Sequence, residues 1–341
     1  MTDDPVLLDD WHPVAAAGDV PADTPLPVQL LGRELVLWRD RAGGIAAWDD
    51  RCPHRGARLS IGTVVDGELA CRYHGWRFDG SGRCVRMPAQ PDFRPSANVH
   101  AEVFHACERH GLVWVCLGRA TRDVVPFEEH DDVRLRPVVC GPYDVQTSGP
   151  RVIENFLDMA HFGFVHDGIL GSADDTAVPP YDVEDFVDSS GERGVRARDC
   201  AATQPRASLQ VQTTAQVRYS YRVSRPLSAV LTKQVAGSEV AEGISLHVQP
   251  LGEELSRAWF VYAGERSSHD DDAVRAFQHL IFEQDRPILE SQRPKKLPLA
   301  PRAEMPQRAD ALSVAYRRYL RDCGLRFGVD NEATAQRSSA P

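Results

Sequence analysis

The chain has 341 residues, 42% hydrophobic and 26% charged, with a formal net charge of −10. That length exceeds what one compact core needs and predicts two domains. There is no basic block to neutralise phosphates, which excludes nucleic acid as the partner, and no apolar run approaches the ~18–20 residues of a membrane helix.

The N-terminal stretch "MTDDPVLLDDWHPV" is acidic and has no basic n-region. The expectation is a cytoplasmic protein without a signal peptide. The first third then reads as β. "VQLLGRELVLWRD", "GIAAWDD", "GRCVRMP" and "HGLVWVCLG" are short apolar runs punctuated by Gly and charged turns. Residues 118–145 turn charged and Pro-bearing, and the connection between domains is placed there. Residues 150–166 read as helix, and 207–264 as strands of alternating character. A helix is expected over 270–293, with Asp270, Asp271 and Asp272 at its positive N-terminal pole. Val274, Phe277 and Ile281 form its apolar stripe, and Pro287 should kink it or end its first half. A last amphipathic helix spans about 309–323, carries Leu312, Tyr316, Tyr319 and Cys323, and stops at Gly324. The expected division is 1–125, 126–328 and a disordered tail over 329–341.

The eight cysteines should be reduced in a cytoplasmic chain, so a disulfide framework is not expected. Cys107 and Cys116 flank "LVWVC" and read as small core residues. Cys52 and Cys71 differ. Each belongs to a pair, Cys52 with His54 and Cys71 with His74, each beside a glycine, Gly56 or Gly75. Two thiolates and two imidazoles suit one tetrahedral zinc. They also suit a [2Fe-2S] cluster with both Cys on one iron and both His on the other. The one-residue gap of C-x-H is tighter than the usual zinc-finger hairpin. On an extended segment it places both side chains on one face, so that a Cys and a His of one loop reach different irons. The glycines allow the loops to bend around a cluster.

A second constellation lies in "ENFLDMAHFGFVH". Asp158 and His161 are spaced i,i+3 and share a helix face. His166 follows five residues later, about 140° round an ideal helix. Both His can bind one ion only if the helix bends or ends between them, and Gly163 is placed to permit that. Two His and one carboxylate form the open facial triad of a mononuclear Fe(II) oxygenase.

"CPHRGARLS…CRYHGWRFDGSGRC" and N-x2-D-x2-H-x4-H together resemble the Rieske non-haem iron oxygenases, terminal α subunits of the vanillate and dicamba O-demethylase and phenoxybenzoate dioxygenase type. The resemblance is tight over about 48–90 and 150–170 and local over 277–293. Respiratory Rieske proteins carry an additional disulfide-forming Cys in each loop. This chain has Ala57 and Arg72 thereabouts, which fits the oxygenase branch. The resemblance implies an α+β protein: an N-terminal all-β Rieske [2Fe-2S] domain, then a helix-grip (START-like) catalytic domain with an antiparallel sheet and flanking helices. It implies cluster ligands Cys52, His54, Cys71 and His74. It implies a mononuclear Fe(II) held by His161, His166 and Asp285, with Glu283 the fallback and Glu290, beyond Pro287, a weaker candidate. Asp158 is implied to link a cluster His of one subunit to His161 of its neighbour in a head-to-tail homotrimer, and Asn155 to sit near the iron.

The expected activity is that of a terminal oxygenase. It uses O2 and electrons from a separate NAD(P)H-dependent reductase, directly or through a ferredoxin, because the chain has no G-x-G-x-x-G nucleotide loop. The expected outcome is hydroxylation or oxidative demethylation of an aromatic or polycyclic small molecule. Ring cis-dihydroxylation and a plain Rieske electron carrier are the alternatives. Pocket candidates are Leu157, Phe162, Leu209, Val211, Leu231, His247 and Leu280, each of which suits plain core better than a specificity role. His247, inside an apolar strand, either hydrogen-bonds a substrate oxygen or is a satisfied core histidine.

Overall fold

The computed structural model describes residues 2–207, 211–266 and 270–331, and the pocket candidate Leu209 lies outside them. The chain divides into two compact units, Met1–Val124 and Val125–Pro341.

The first unit opens with a one-turn helix α1 (Pro5–Leu8), whose first turn is capped by the Asp4 side chain. Ten strands follow in chain order: β1 (His12–Ala16), β2 (Leu26–Leu30), β3 (Arg33–Arg39), β4 (Ile45–Asp49), β5 (Thr63–Val65), β6 (Glu68–Ala70), β7 (Arg77–Phe78), β8 (Cys84–Arg86), β9 (Val103–Arg109) and β10 (Leu112–Cys116). Six of them form one antiparallel sheet in the order β1-β10-β9-β4-β3-β2, and β5 to β8 form a four-stranded meander. Apolar alternation explains the core. Val36, Trp38 and Trp48 face Leu59, Leu69, Phe78 and Cys84, and Cys52 and Cys71 belong to the same buried cluster. Trp38 and Trp48 meet edge to face with centroids 4.9 Å apart, the geometry that ring quadrupoles favour. The two thiols therefore sit on a rigid aromatic floor.

The second unit is a seven-stranded antiparallel sheet in the order β11-β17-β16-β15-β14-β13-β12. Its strands are β11 (Leu135–Val145), β12 (Asp182–Val187), β13 (Arg193–Gln204), β14 (Ala215–Arg225), β15 (Ser228–Val235), β16 (Glu242–Gly252) and β17 (Leu255–Glu265). Helices α2 (Gly149–Leu157), α3 (Phe162–Val165), α4 (Asp271–Ser291) and α5 (Ala311–Cys323) complete it. Helix α4 is capped by Asp270, whose side chain accepts a hydrogen bond from the Ala273 amide at 2.7 Å. Helix α5 ends at Gly324, with φ at 76°. Among the described residues, no helix is long and apolar enough to cross a membrane.

Four sequence expectations need correction. Residues 118–145 are not all connection, because β11 pairs along its length with β17. Of the two outcomes expected at Pro287, an end to the first half is not seen, since α4 continues to Ser291; buried Phe282 and Leu289 anchor the helix on both sides of it. Residues 329 and 330 do not belong to a disordered tail. Val329–Asp330 (β19) pairs in parallel with Leu297–Pro298 (β18), and Val329 is buried. The helix of 150–166 is broken at Asp158, where ψ reaches 133°, ahead of His161 and not at Gly163. Gly163 lies within α3, where a Cβ would come 2.7 Å from the Ser172 carbonyl oxygen. Its role is that close approach.

Candidate metal centres

In the first unit the two Cys–His loops are conformational copies. The Cys52 amide donates to the Ala57 carbonyl at 2.8 Å, and the Gly56 amide donates back to the Cys52 carbonyl at 2.9 Å. In the second loop Cys71 donates to Trp76 at 2.8 Å, and Gly75 donates to Cys71 at 2.9 Å. Both patterns run from residue i to i+5 and from i+4 to i. Both need a left-handed residue at i+4, supplied by Gly56 at φ 73° and Gly75 at φ 68°. The loops are turns and not extended segments, so the convergence of each Cys–His pair comes from this backbone wrap and not from strand alternation.

The wrap stratifies the donors. Cys52 and Cys71 are each 2% exposed, whereas His54 is partly exposed and His74 exposed. The imidazole centroids lie 4.5 Å apart, and His54 stacks on Trp76 at 4.2 Å and 5°. Burial, with the Cys71 thiol alongside, pushes the Cys52 thiol up to about 12, an environment in which a thiolate needs a cation. Burial, His74 and Arg55 together lower the pKa of His54, keeping its ring neutral. His54 Nδ1 is buried without a hydrogen-bond partner. An orphaned ring nitrogen beside two buried thiols fits a metal cluster.

In the second unit, ligand atoms of His161, His166 and Asp285 lie within 4.8 Å of one another. The break after α2 swings His161 towards α4, and the single turn of α3 then carries His166 to the same point, with ring centroids 5.0 Å apart. Asp285 arrives on the buried face of α4. Its Oδ1 lies 3.6 Å from His161 Nε2 and 3.2 Å from His166 Nε2. The far side of each ring is tied down. His161 Nδ1–H donates to Asp158 Oδ2 at 3.0 Å, and His166 Nδ1–H donates to Gln284 Oε1 at 2.8 Å. Both imidazoles thus present Nε2 lone pairs to one point, the tautomer a metal ligand requires. Asn155 Nδ2 donates to Asp285 Oδ1 at 3.3 Å and so orients the carboxylate.

Each carboxylate and the imidazole it faces offset one another's burial. Burial pushes the Asp158 carboxyl up, but the His161 hydrogen bond and charge outweigh it and hold the group below the usual aspartate range. Burial works to lower the His166 pKa, and the Asp285 carboxylate with Gln284 outweighs it and raises it. Glu283 faces elsewhere. It accepts from Arg286 at 3.1 and 3.2 Å, and that guanidinium lowers its pKa. It is not a fallback ligand. Glu290 accepts from the Gln146 amide at 3.0 Å.

The triad opens into a cavity walled by aromatic rings, among them Phe156, Phe162, Tyr219, Tyr221 and Phe260. Of the pocket candidates, Phe162 and Leu231 line it. Leu157 is buried in core beside it. Val211 lines a separate depression with Val240 and Glu265. Leu280 is 44% exposed; the helix phase that turns Gln278, Ile281 and Asp285 inward turns it out. His247 is corrected as a substrate contact. It is fully buried and hydrogen-bonded to Ser228 Oγ at 2.9 Å and Ser245 Oγ at 3.0 Å, a satisfied core histidine. Sequence reasoning missed Gln284, Gln278, Lys233 and Glu242. Lys233 was legible in principle, since it lies two residues past Leu231 on the same strand face.

Comparison with known proteins agrees with this architecture. The Rieske [2Fe-2S] domain family matches residues 10–104, and the vanillate O-demethylase oxygenase C-terminal domain family matches 145–325. The chain is 44% identical over 324 residues to the probable methylxanthine N7-demethylase NdmC of Pseudomonas sp. (strain TJI-51), covering 95% of this chain and 96% of that one. The solved structure of Pseudomonas putida CBB5 NdmA with caffeine superposes with a TM-score of 0.80 at 30% identity, over 93% of this chain and 90% of that one. Dicamba monooxygenase bound to dicamba shares the fold, with a TM-score of 0.70 at 23% identity over 94% of this chain and 91% of that one. The α+β architecture, the Rieske cluster and the mononuclear iron are those of one family, and the chain belongs to it: a Rieske non-haem iron oxygenase, an oxidoreductase.

Proposed function

We propose that this oxygenase removes a methyl group from nitrogen on a planar heteroaromatic ring of the methylxanthine class. The observation that carries the reading is the convergence of His161, His166 and Asp285 at the wall of an aromatic cavity, in a chain 44% identical to a probable methylxanthine N7-demethylase. In this reading Cys52, His54, Cys71 and His74 hold the cluster, and His161, His166 and Asp285 hold Fe(II).

Bound there, iron supplies O2 activation, and the cluster supplies electrons one at a time. The chain's own residues do the rest. Rings such as Phe162 and Tyr221 hold the flat substrate and keep water away from the reacting methyl. Asp158 holds the Nδ1 proton of His161 and Gln284 that of His166. Asn155 fixes Asp285. The balance is N–CH3 plus O2, two electrons and two protons, giving N–CH2OH and water. The carbinolamine then breaks its C–N bond, yielding N–H and formaldehyde.

The electrons come from a separate reductase, and a stretch of this chain matches part of the oxidoreductase NdmD of Pseudomonas putida at 38% identity over 129 residues. The working form is a cytoplasmic homotrimer in which Asp158 faces a neighbour's cluster. Incubation with reductase, NADH and 7-methylxanthine tests the reading. One formaldehyde per substrate consumed supports it, and a ring diol, or NADH oxidation without formaldehyde, overturns it.

A further inference from the structure

Strands β14, β15 and β16 set Tyr219, Lys233 and Glu242 in one cross-strand row, with Lys233 opposite Tyr219 on one side and Glu242 on the other. The neighbouring row is Tyr221, Leu231, Ile244 and Tyr262. Residues two apart on a strand share a face, so both rows form the same wall. It encloses the cavity that also holds Asn155, His161 and Asp285. Lys233 is 6% exposed. The Glu242 carboxylate is the charged neighbour of its ammonium. Burial lowers its pKa, and the Glu242 charge opposes that shift. Glu242 takes a hydrogen bond from Tyr262, and a carboxylate has about four lone-pair sites in all.

A charged side chain that merely stabilises a core has its hydrogen bonds completed by protein. Here a buried lysine lines a cavity, and buried donors left unmade are unfavourable. Burial also keeps the surrounding phenols of Tyr219, Tyr221 and Tyr262 neutral. The wall therefore offers one positive group beside one negative group. A simple anion drawn to Lys233 meets repulsion from Glu242, and a cation meets the reverse. The complementary ligand is a neutral edge carrying an acceptor next to a donor.

We propose that Lys233 and Glu242 form a substrate subsite for a lactam edge, in which a ring carbonyl accepts from the Lys233 ammonium and the adjacent ring N–H donates to the Glu242 carboxylate. The inference rests on the cavity being the substrate site of the oxygenase. It narrows the substrate to a cyclic amide or imide that keeps a free ring N–H next to a carbonyl. An N-methyl at that position turns a methyl towards a half-buried carboxylate, the kind of mismatch that binding sites reject strongly.

The test is equilibrium binding of 7-methylxanthine and of 1,3,7-trimethylxanthine to the iron-loaded holoenzyme. The expected preference for 7-methylxanthine is at least about 10-fold. Glu242→Gln should shrink it to below about 3-fold, and Lys233→Met should weaken 7-methylxanthine binding by about 10-fold. Cluster absorption and iron content report whether each variant is intact, and Lys233→Arg, which keeps the charge but not the reach, replaces Lys233→Met if that protein does not load. Equal binding of the two ligands, no binding of 7-methylxanthine, or an unchanged ratio in Glu242→Gln overturns the subsite. Formaldehyde assays separate the two readings. A binding preference without formaldehyde sinks the demethylase and spares the subsite, whereas formaldehyde released from both compounds with equal efficiency does the opposite.

Discussion

All four candidate cluster donors of the N-terminal unit lie between Cys52 and Gly75, on two loops that repeat one backbone pattern. In the C-terminal unit the donors run from His161 to Asp285, and Asn155 reaches Asp285 across 130 positions of sequence. The first site is fixed by main-chain hydrogen bonds and two glycines. The second is fixed by side chains, each ring nitrogen held by Asp158 or Gln284 and the carboxylate by Asn155. The cluster site should therefore respond to backbone changes, and the mononuclear site to single polar atoms.

Asp285→Ala tests the contrast with the largest effect. It removes the one carboxylate of the triad, and substrate-dependent O2 uptake should fall by at least about 10³-fold while the cluster spectrum persists. Asp158→Asn should come next. Tautomer control of His161 is impaired, and turnover should drop about 10–100-fold with both metals retained; normal turnover would remove Asp158 from the positioning role. In the other unit, Gly75→Ala forces a Cβ into a left-handed position, 3.1 Å from Pro88 Cγ. A cost of about 1–2 kcal/mol should appear as partial cluster loading and a thermal midpoint lower by a few degrees, with mononuclear iron unaffected.

The smallest effect concerns acid stability. Glu304 is buried enough to raise its pKa, but Arg151 and Arg317 outweigh this and hold it below its ordinary value of 4.5. A depressed folded-state pKa stabilises the fold above the unfolded value, and that contribution is lost as pH falls through the folded one. With the Glu304 side chain 36% exposed, screening limits the effect to under about 1 kcal/mol. Glu304→Gln should lower stability slightly at neutral pH and flatten the acid limb of a denaturation curve; an unchanged limb would assign acid sensitivity to other carboxylates.

The same contrast explains what was legible in the sequence. Cys52, His54, Cys71 and His74 could be read from spacing because the site is local, although the physical reason was a loop wrap and not a strand face. His161, His166 and Asp285 required a family pattern, since no periodicity links α3 to α4. Strands β12 and β13 were missed because Arg193, Arg196, Arg198 and Asp199 mask their alternation near a sheet edge. Lys233 was passed over because a lysine in a strand is ordinarily solvent-facing, and only the register beside Leu231 turns it inward. Leu280 and His247 show the converse: apolar character or strand position alone does not place a residue in a cavity.

The claim of two separate iron centres in one chain is tested most directly by counting iron and acid-labile sulfide in the wild type and in His161→Ala. About three Fe and two sulfides per chain are predicted for the wild type, and about two of each for the variant, with the visible spectrum unchanged. Two Fe in both proteins, or a colourless preparation, would contradict it.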